Sequence, residues 1–245
     1  IVIPCWILNQ ELLDFLNRCI TSIRDHTKSE YELILVDNGS PLGDNYMREQ
    51  ADVYVRNKEN LGYGPACNQG YFLSRGEYIA IMNDDITVGD GWDTALIDAA
   101  TDNRIVCPAL MNMEWKRPRE FPDEAIRRVT KTGHWRESGI PDIQVFPELA
   151  GFGALYLAHR QTFQDLEFDH QLLDERYKIG YYEDSQLWMR QNLLKREVVC
   201  THLCWVFHIG NATSGKLPNL NEIFVANRAL FEKDKQKMWY NREKI

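Results

Sequence analysis

Glu77–Val88 reads EYIAIMNDDITV, and its two halves pull in opposite directions. Tyr78 to Met82 is a mostly apolar run of the kind that fills a buried strand. It runs straight into Asn83, Asp84 and Asp85. Adjacent carboxylates repel one another and are costly to remove from water, so a buried strand gains nothing by ending in them. A divalent cation would resolve the conflict. The plain structural alternative is an Asp pair capping the turn and the helix after it. Two acids alone do not decide between these readings.

The same rhythm extends outward on both sides. Ile1–Pro4 (IVIP) predicts a short buried strand, and Leu12, Leu13, Leu16, Cys19, Ile20 and Ile23 after it mark one apolar helical face. YELILVDNGS predicts a second strand ending in Asp37, followed by a short helix over Tyr46–Gln50 and a third strand over Val53–Asn57. NLGYGPACNQG opens a loop and runs into a helix through Leu73, and a further helix covers Trp92–Ala100. Alternating strand and helix predicts an α/β fold with a mostly parallel sheet flanked by helices. In such folds sites gather at the carboxyl ends of the strands, where Asp37 and the Asn83–Asp85 group both lie.

From Met111 to Pro147 the composition shifts, with Pro118, Pro122, Pro141 and Pro147 and the basic-aromatic run EWKRPREF. This reads as an irregular excursion over the pocket, in which Trp115, Phe121 and Trp135 offer flat rings for sugar stacking or ordinary packing. Beyond it AGFGALYLAHR resumes strand character, EDSQLWMRQNLL reads as a helix, VVCTHLCWVFH as a late strand, and Leu220–Tyr240 as a helical tail.

Bulk properties narrow the classes. Hydrophobic residues make up 44% and charged residues 26% of the 245, as in a folded globular chain. A net charge of −8 argues against nucleic acid as the main partner. No apolar run is long enough for a transmembrane segment, so the expected location is the cytoplasm, at most peripheral to a membrane. The first residue is Ile1 and not Met, which leaves an upstream segment open. The six cysteines are scattered in apolar surroundings, as reduced core thiols are. Cys200, His202, Cys204 and His208 have a zinc-like density, but a second ligand pair at a distance is missing. Strand alternation is the simpler account: Val198, Cys200, His202, Cys204, Val206 and His208 on one face, Val199, Leu203, Trp205 and Phe207 on the other.

Three more groups carry possible chemistry. Glu183 and Asp184 stand at a helix start, where they serve as a cap or as an ionised general base. NLGYGPACNQG, with Asn60, Gly62 and Asn68, offers a candidate phosphate cradle but lacks G-x-G-x-x-G and the P-loop Lys. His208 ends a strand beside a Gly-, Ser- and Thr-rich loop, where a structural role is the commoner one.

Taken in order, IVIP, LILVDNGS, NKENLGYGPACNQGYFLSRGEYIAIMNDDITV, GFGALYLAHRQTF, YYEDSQLWMR and VFHIGNATSG resemble the family-two, GT-A type glycosyltransferases, particularly bacterial rhamnosyltransferase-like members. The resemblance spans Ile1 to about Ser214 and is weakest over Met111–Pro147. It implies a single GT-A (Rossmann-like) domain over 1–245, with 1–110 the nucleotide-binding half and 111–245 the acceptor-binding half with its helical tail.

The resemblance also implies roles. Pro4, Cys5 and Asp37 would hold the nucleotide base. Asn83 and Asp84 would lie near ribose and diphosphate, and Asp85 would bind Mn²⁺ or Mg²⁺ with His208 completing that site. Gly153 and Ala154 would lie near the donor sugar, and Asp184, with Glu183 beside it, would be the catalytic base of an inverting transfer. The donor would be a UDP, dTDP or GDP sugar, and the acceptor a glycan, a lipid-linked sugar or another hydroxyl compound. Asn83 replaces the first acid of a strict DxD, and CWILNQ departs from the family's usual segment after the first strand. The rival readings are a sugar nucleotidylyltransferase, which would want a Gly-rich basic loop after the first strand, and a non-catalytic nucleotide-sugar or glycan-binding module.

Overall fold

Val2–Cys5 (β1) pairs in parallel with Ile34–Asp37 (β2) on one side and with Tyr78–Met82 (β4) on the other. β1 and β2 are buried on every residue, as strands covered on both faces must be. The computed structural model describes residues 1–101, 103–112, 143–145, 153–210, 212–217 and 219–242. The Met111–Pro147 excursion, with Trp115, Phe121 and Trp135, therefore lies mostly outside the described residues.

Among the described residues the sheet has nine strands. Val53–Arg56 (β3) is paired to β2, and Leu155–His159 (β8) runs antiparallel to β4. Ile105–Asn112 (β6) is antiparallel to β8 and parallel to Val198–His208 (β9). Ile86–Thr87 (β5) and Ile143–Val145 (β7) both pair antiparallel with β9. Strands β1, β2, β3, β4, β6 and β9 thus share one direction, which makes the sheet mostly parallel.

Helices cover both faces. Gln10–His26 (α1) starts at Asn9, whose side chain accepts the Leu12 N–H, and buries the stripe Leu12, Leu16, Cys19, Ile20 and Ile23. It packs with Trp92–Ala99 (α4) on the face that also buries Ile3, Leu35 and Val106. Asp44–Gln50 (α2) joins β2 to β3. Tyr63–Leu73 (α3), Arg160–Gln164 (α5) and Glu183–Leu193 (α6) serve the opposite face, where Tyr156 meets Trp188 edge-on at 5.0 Å. Leu220–Arg242 (α7) is the tail helix. All six cysteines are free and buried.

Strand β9 departs from simple alternation. Pro108 faces Thr201 while the next residue of β6, Ala109, faces Trp205, so one step on β6 answers four on β9. Three surplus residues are an odd number, and an odd surplus reverses the faces. Val198 consequently joins the core under α3 and α6, whereas Cys204 and Val206 join the core under α1 and α4. The single-face grouping expected from Val198 to His208 is therefore incorrect. No group of three or more His, Cys, Asp or Glu side chains placed to hold a metal ion occurs among the described residues.

Candidate active site

The site is built where parallel strands end. Cys5 of β1 is level with Asp37 of β2, and β4 ends at Met82 immediately before the Asn83–Asp84–Asp85 triplet. Because β8 runs antiparallel to β4, its first residue, Leu155, faces Met82. Gly153 and Ala154 therefore arrive at the same edge, and the Asn83 N–H donates to the Ala154 carbonyl at 2.8 Å. The short strand β5 does the corresponding work on the other side. Its Ile86 pairs with His208, which draws Asp85 to the end of β9.

A cavity of about 450 Å³ opens at this edge. It is lined by Pro4, Cys5, Asn60, the Asn83–Asp85 triplet, Gly153, Ala154, Glu183, Asp184 and His208. Sequence reasoning placed all of these in the site. Among the lining residues it missed are Trp6, Asn38, Tyr63, Tyr181, Tyr182 and Phe224. Their only signal was proximity in sequence to the motifs, and Phe224 had not even that.

Three expected site residues do not line the cavity. Asp37 is fully buried one layer behind it, where its Oδ1 accepts the Ser40 N–H at 2.8 Å and its Oδ2 pairs with Tyr54 Oη at 3.0 Å and with the Arg56 guanidinium. Asn68 is tied to the backbone of a distant loop: its amide donates to the Leu173 carbonyl at 2.8 Å, and its Oδ1 accepts from Leu172 and Leu173. Gly62 serves a close approach. At φ +104°, a Cβ there would stand 2.9 Å from the Ile179 nitrogen. The loop carrying Asn60 and Gly62 is organised by Asn38, whose amide donates to Asn60 Oδ1 at 2.8 Å and to the Gly62 carbonyl at 2.9 Å.

Charge at the site is dense and poorly hydrated. Burial, and then the neighbouring Asp85, push the Asp84 carboxyl up to about 8. Asp85 is 6% exposed; its Oδ2 accepts the Gly210 N–H at 3.1 Å, while its Oδ1 lies 3.3 Å from His208 Nε2. His208 Nε2 is also 3.3 Å from the Asn83 amide nitrogen. Asp85 Oδ1 and Asn83 Oδ1 are both buried without a hydrogen-bond partner. Two orphaned oxygens beside an imidazole nitrogen fit a divalent cation, which takes few protein ligands when substrate phosphates supply the others.

The second acid pair lines the same cavity. Tyr182 precedes α6 at φ +73° and gives the helix no side-chain cap. Asp184 Oδ1 accepts from the Ser185 N–H at 2.6 Å and lies 3.2 Å from the Ser185 hydroxyl. These bonds favour the ionised form, but burial outweighs them and raises the carboxyl above its ordinary range. Glu183 lies deeper, at 5% exposure, and its Oε2 is buried without a partner. Burial, then the adjacent Asp184, push its carboxyl up to about 8. Burial therefore raises both carboxyls of the pair above their ordinary range.

No helix among the described residues is long and apolar enough to cross a membrane. In overall shape the chain is similar to GalNAc-T7, crystallised with UDP, GalNAc and Mn²⁺, at a TM-score of 0.63 and 19% identity, covering 85% of this chain and 43% of that one. It is similar also to residues 1–349 of TarS from S. aureus, at a TM-score of 0.60 and 12% identity, covering 86% of this chain and 60% of that one. Both belong with the GT-A fold, which this chain shares. Among curated proteins it is 30% identical over 96 residues to the uncharacterized glycosyltransferase EpsJ of Bacillus subtilis (strain 168), and 26% identical over 100 residues to the putative glycosyltransferase EpsH of the same organism. These matches take in 37% and 38% of this chain but only 28% and 29% of those proteins. The model of glycosyl transferase family 2 matches residues 1–155, which include strands β1 to β7, the acid triplet and the Gly153–Ala154 turn. With that match joined to the edge-of-sheet cavity, the chain belongs to glycosyl transferase family 2.

Proposed function

We propose that the chain transfers a sugar from a nucleoside-diphosphate sugar to an acceptor hydroxyl, with inversion at the anomeric carbon and Asp184 as general base. One observation carries the reading: the Asn83–Asp85 triplet, His208, Gly153 and Asp184 all line a single cavity at the carboxyl edge of the sheet.

Asp85 and His208, with Asn83 beside them, would hold Mn²⁺ or Mg²⁺. When bound, such a cation stabilises the charge that develops on the departing diphosphate. Pro4, Cys5 and Asn60 lie at the part of the cavity nearest β1 and suit the nucleoside. Asp37, one layer behind, supports that part through Ser40, whose hydroxyl accepts the Ile7 N–H at 2.8 Å. Asp184, oriented by Ser185, accepts the acceptor's hydroxyl proton as that oxygen attacks the anomeric carbon from the side opposite the diphosphate. Residues 1–110 would hold most of the donor, with Gly153, Ala154 and His208 completing that part from 111–245, which would also take the acceptor. UDP-sugars are the first donors to try, because UDP is bound in a structure of GalNAc-T7 and in one of TarS.

A screen of UDP, dTDP and GDP sugars with Mn²⁺, following nucleoside diphosphate release with and without sugar acceptors, tests the reading. Asp184→Asn should lower transfer by at least about 10²-fold while leaving calorimetric donor affinity nearly unchanged. Full activity in that variant would remove Asp184 from the role. Absence of donor binding across the screen would remove the function.

A further inference from the structure

The backbone that delivers Asp184 is held in conformations that L-residues avoid. Ile179, Tyr181 and Tyr182 have φ of 69°, 73° and 73°, with Gly180 between them. Such a residue is strained and persists only when its surroundings fix it. A β-branched residue such as Ile179 is the least tolerant of the three.

What fixes the segment comes largely from α7. The Asn227 side-chain amide is 5% exposed and donates to the carbonyls of Lys178 at 3.0 Å, Gly180 at 2.7 Å and Tyr181 at 3.3 Å. Tyr182 packs between Phe224 and Phe231, with ring centroids 5.4 Å and 5.3 Å away. Asp234 accepts from Arg176 Nη2 at 2.6 Å and from the Tyr177 hydroxyl at 3.1 Å. Phe224, Asn227, Phe231 and Asp234 recur at three- and four-residue intervals, one face of the helix. On the other side, the Tyr63 N–H donates to the Ile179 carbonyl at 2.8 Å. One face of the tail helix therefore meets the strained run immediately before Glu183.

We propose that α7 is a brace for the acid pair and that Asn227 is a positioning residue, acting through the carbonyls of residues 178–181 to set Asp184 in the cavity. The kinetic part rests on the reading of Asp184 as the base. The two hydrogens of the Asn227 amide are shared among these three carbonyls. Asn227→Asp keeps the shape but turns a carboxylate oxygen toward them, and Asn227→Ser withdraws the group.

The test compares both variants with wild type and with Glu232→Ala, on the exposed side of α7. It uses steady-state transfer and hydrogen exchange at the amides of residues 178–185, with those of β1, β2 and β4 as internal reference. Expected for Asn227→Asp and Asn227→Ser is a kcat lower by about 10- to 100-fold with donor KM within about threefold. Exchange should be about tenfold faster at residues 178–185 alone. Glu232→Ala should match wild type in both. A kcat within twofold of wild type overturns the proposal. So does exchange that rises equally in the sheet strands, since Asn227 would then serve only general stability. If the wild-type chain transfers no sugar, the functional reading fails, yet the exchange comparison still decides whether Asn227 holds the segment.

Discussion

Asp184 fills the space that a side chain on Gly153 would need. A Cβ on Gly153 would overlap Asp184 Oδ2, stand 2.9 Å from its Cγ, closer than real Cβ atoms come, and lie 3.1 Å from its Cβ, tighter than most real contacts. The two residues belong to different parts of the chain, and their contact fixes where the carboxylate stands relative to the acid triplet.

Gly153→Ala should therefore push Asp184 aside while leaving the Asn83–Asp85 triplet and His208 unaltered. The expected outcome is a loss of kcat of at least about tenfold, since displacements of an ångström commonly cost more than that. Donor affinity by calorimetry should change little. Unaltered kcat would mean that Asp184 can move freely without loss, which would argue against it as the base.

Removing the carboxylate at Asp85 gives a second test. Asp85→Asn and His208→Ala should each weaken donor binding in the presence of Mn²⁺ and abolish the difference between titrations with Mn²⁺ and with chelator. A wild-type protein whose donor affinity ignores both additions would show that the orphaned oxygens of Asn83 and Asp85 serve something other than a cation.

Glu183 predicts a pH dependence of stability. Its folded-state carboxyl, pushed up to about 8, lies above the ordinary 4.5 of the unfolded chain. The unfolded state therefore releases its proton first as pH rises, and the stability this group contributes below 4.5 is lost progressively up to about 8. Denaturant midpoints of the wild type should fall across that window, whereas Glu183→Gln, which stays neutral, should give a flatter profile. An identical slope in both proteins would place the titration elsewhere.

Asp37 separates support from contact. Its carboxylate is fully buried and bonded to Ser40, Tyr54 and Arg56. Asp37→Ala should lower stability by about 1.5–3 kcal/mol, the typical worth of a hydrogen bond to a charged group, with Arg56 partly solvated. Urea unfolding measures it. A variant of wild-type stability with lost donor affinity would show that Asp37 reaches the ligand directly.

Much of this was legible in the sequence because the first four strands and the helices between them are local events. Tyr78–Met82 appears at its expected bounds, and α1 follows the apolar period of Leu12, Leu16, Cys19 and Ile23. Most predicted ends elsewhere moved by one or two residues, as fraying and caps commonly produce, but the strands read over YELILVDNGS and AGFGALYLAHR begin only at Ile34 and Leu155. Relationships set by a partner were not legible. That β9 carries three extra residues depends on β6, and the two-residue β5 is too short to leave a periodic pattern. Asn68 reads like a phosphate-loop amide beside its glycines, yet residues more than a hundred positions away claim it. The stripe from Phe224 to Asp234 mixes aromatic, amide and acid, so hydropathy alone could not single it out.

The bulge in β9 makes the arithmetic of chain length chemically visible. Losing or gaining one residue between Thr201 and Trp205 would invert every side chain downstream and turn His208 away from Asp85, whereas changes by pairs would preserve its aim. Odd and even length variants of that segment are thus not equivalent: parity there decides whether the far end of the strand still aims His208 at the pocket.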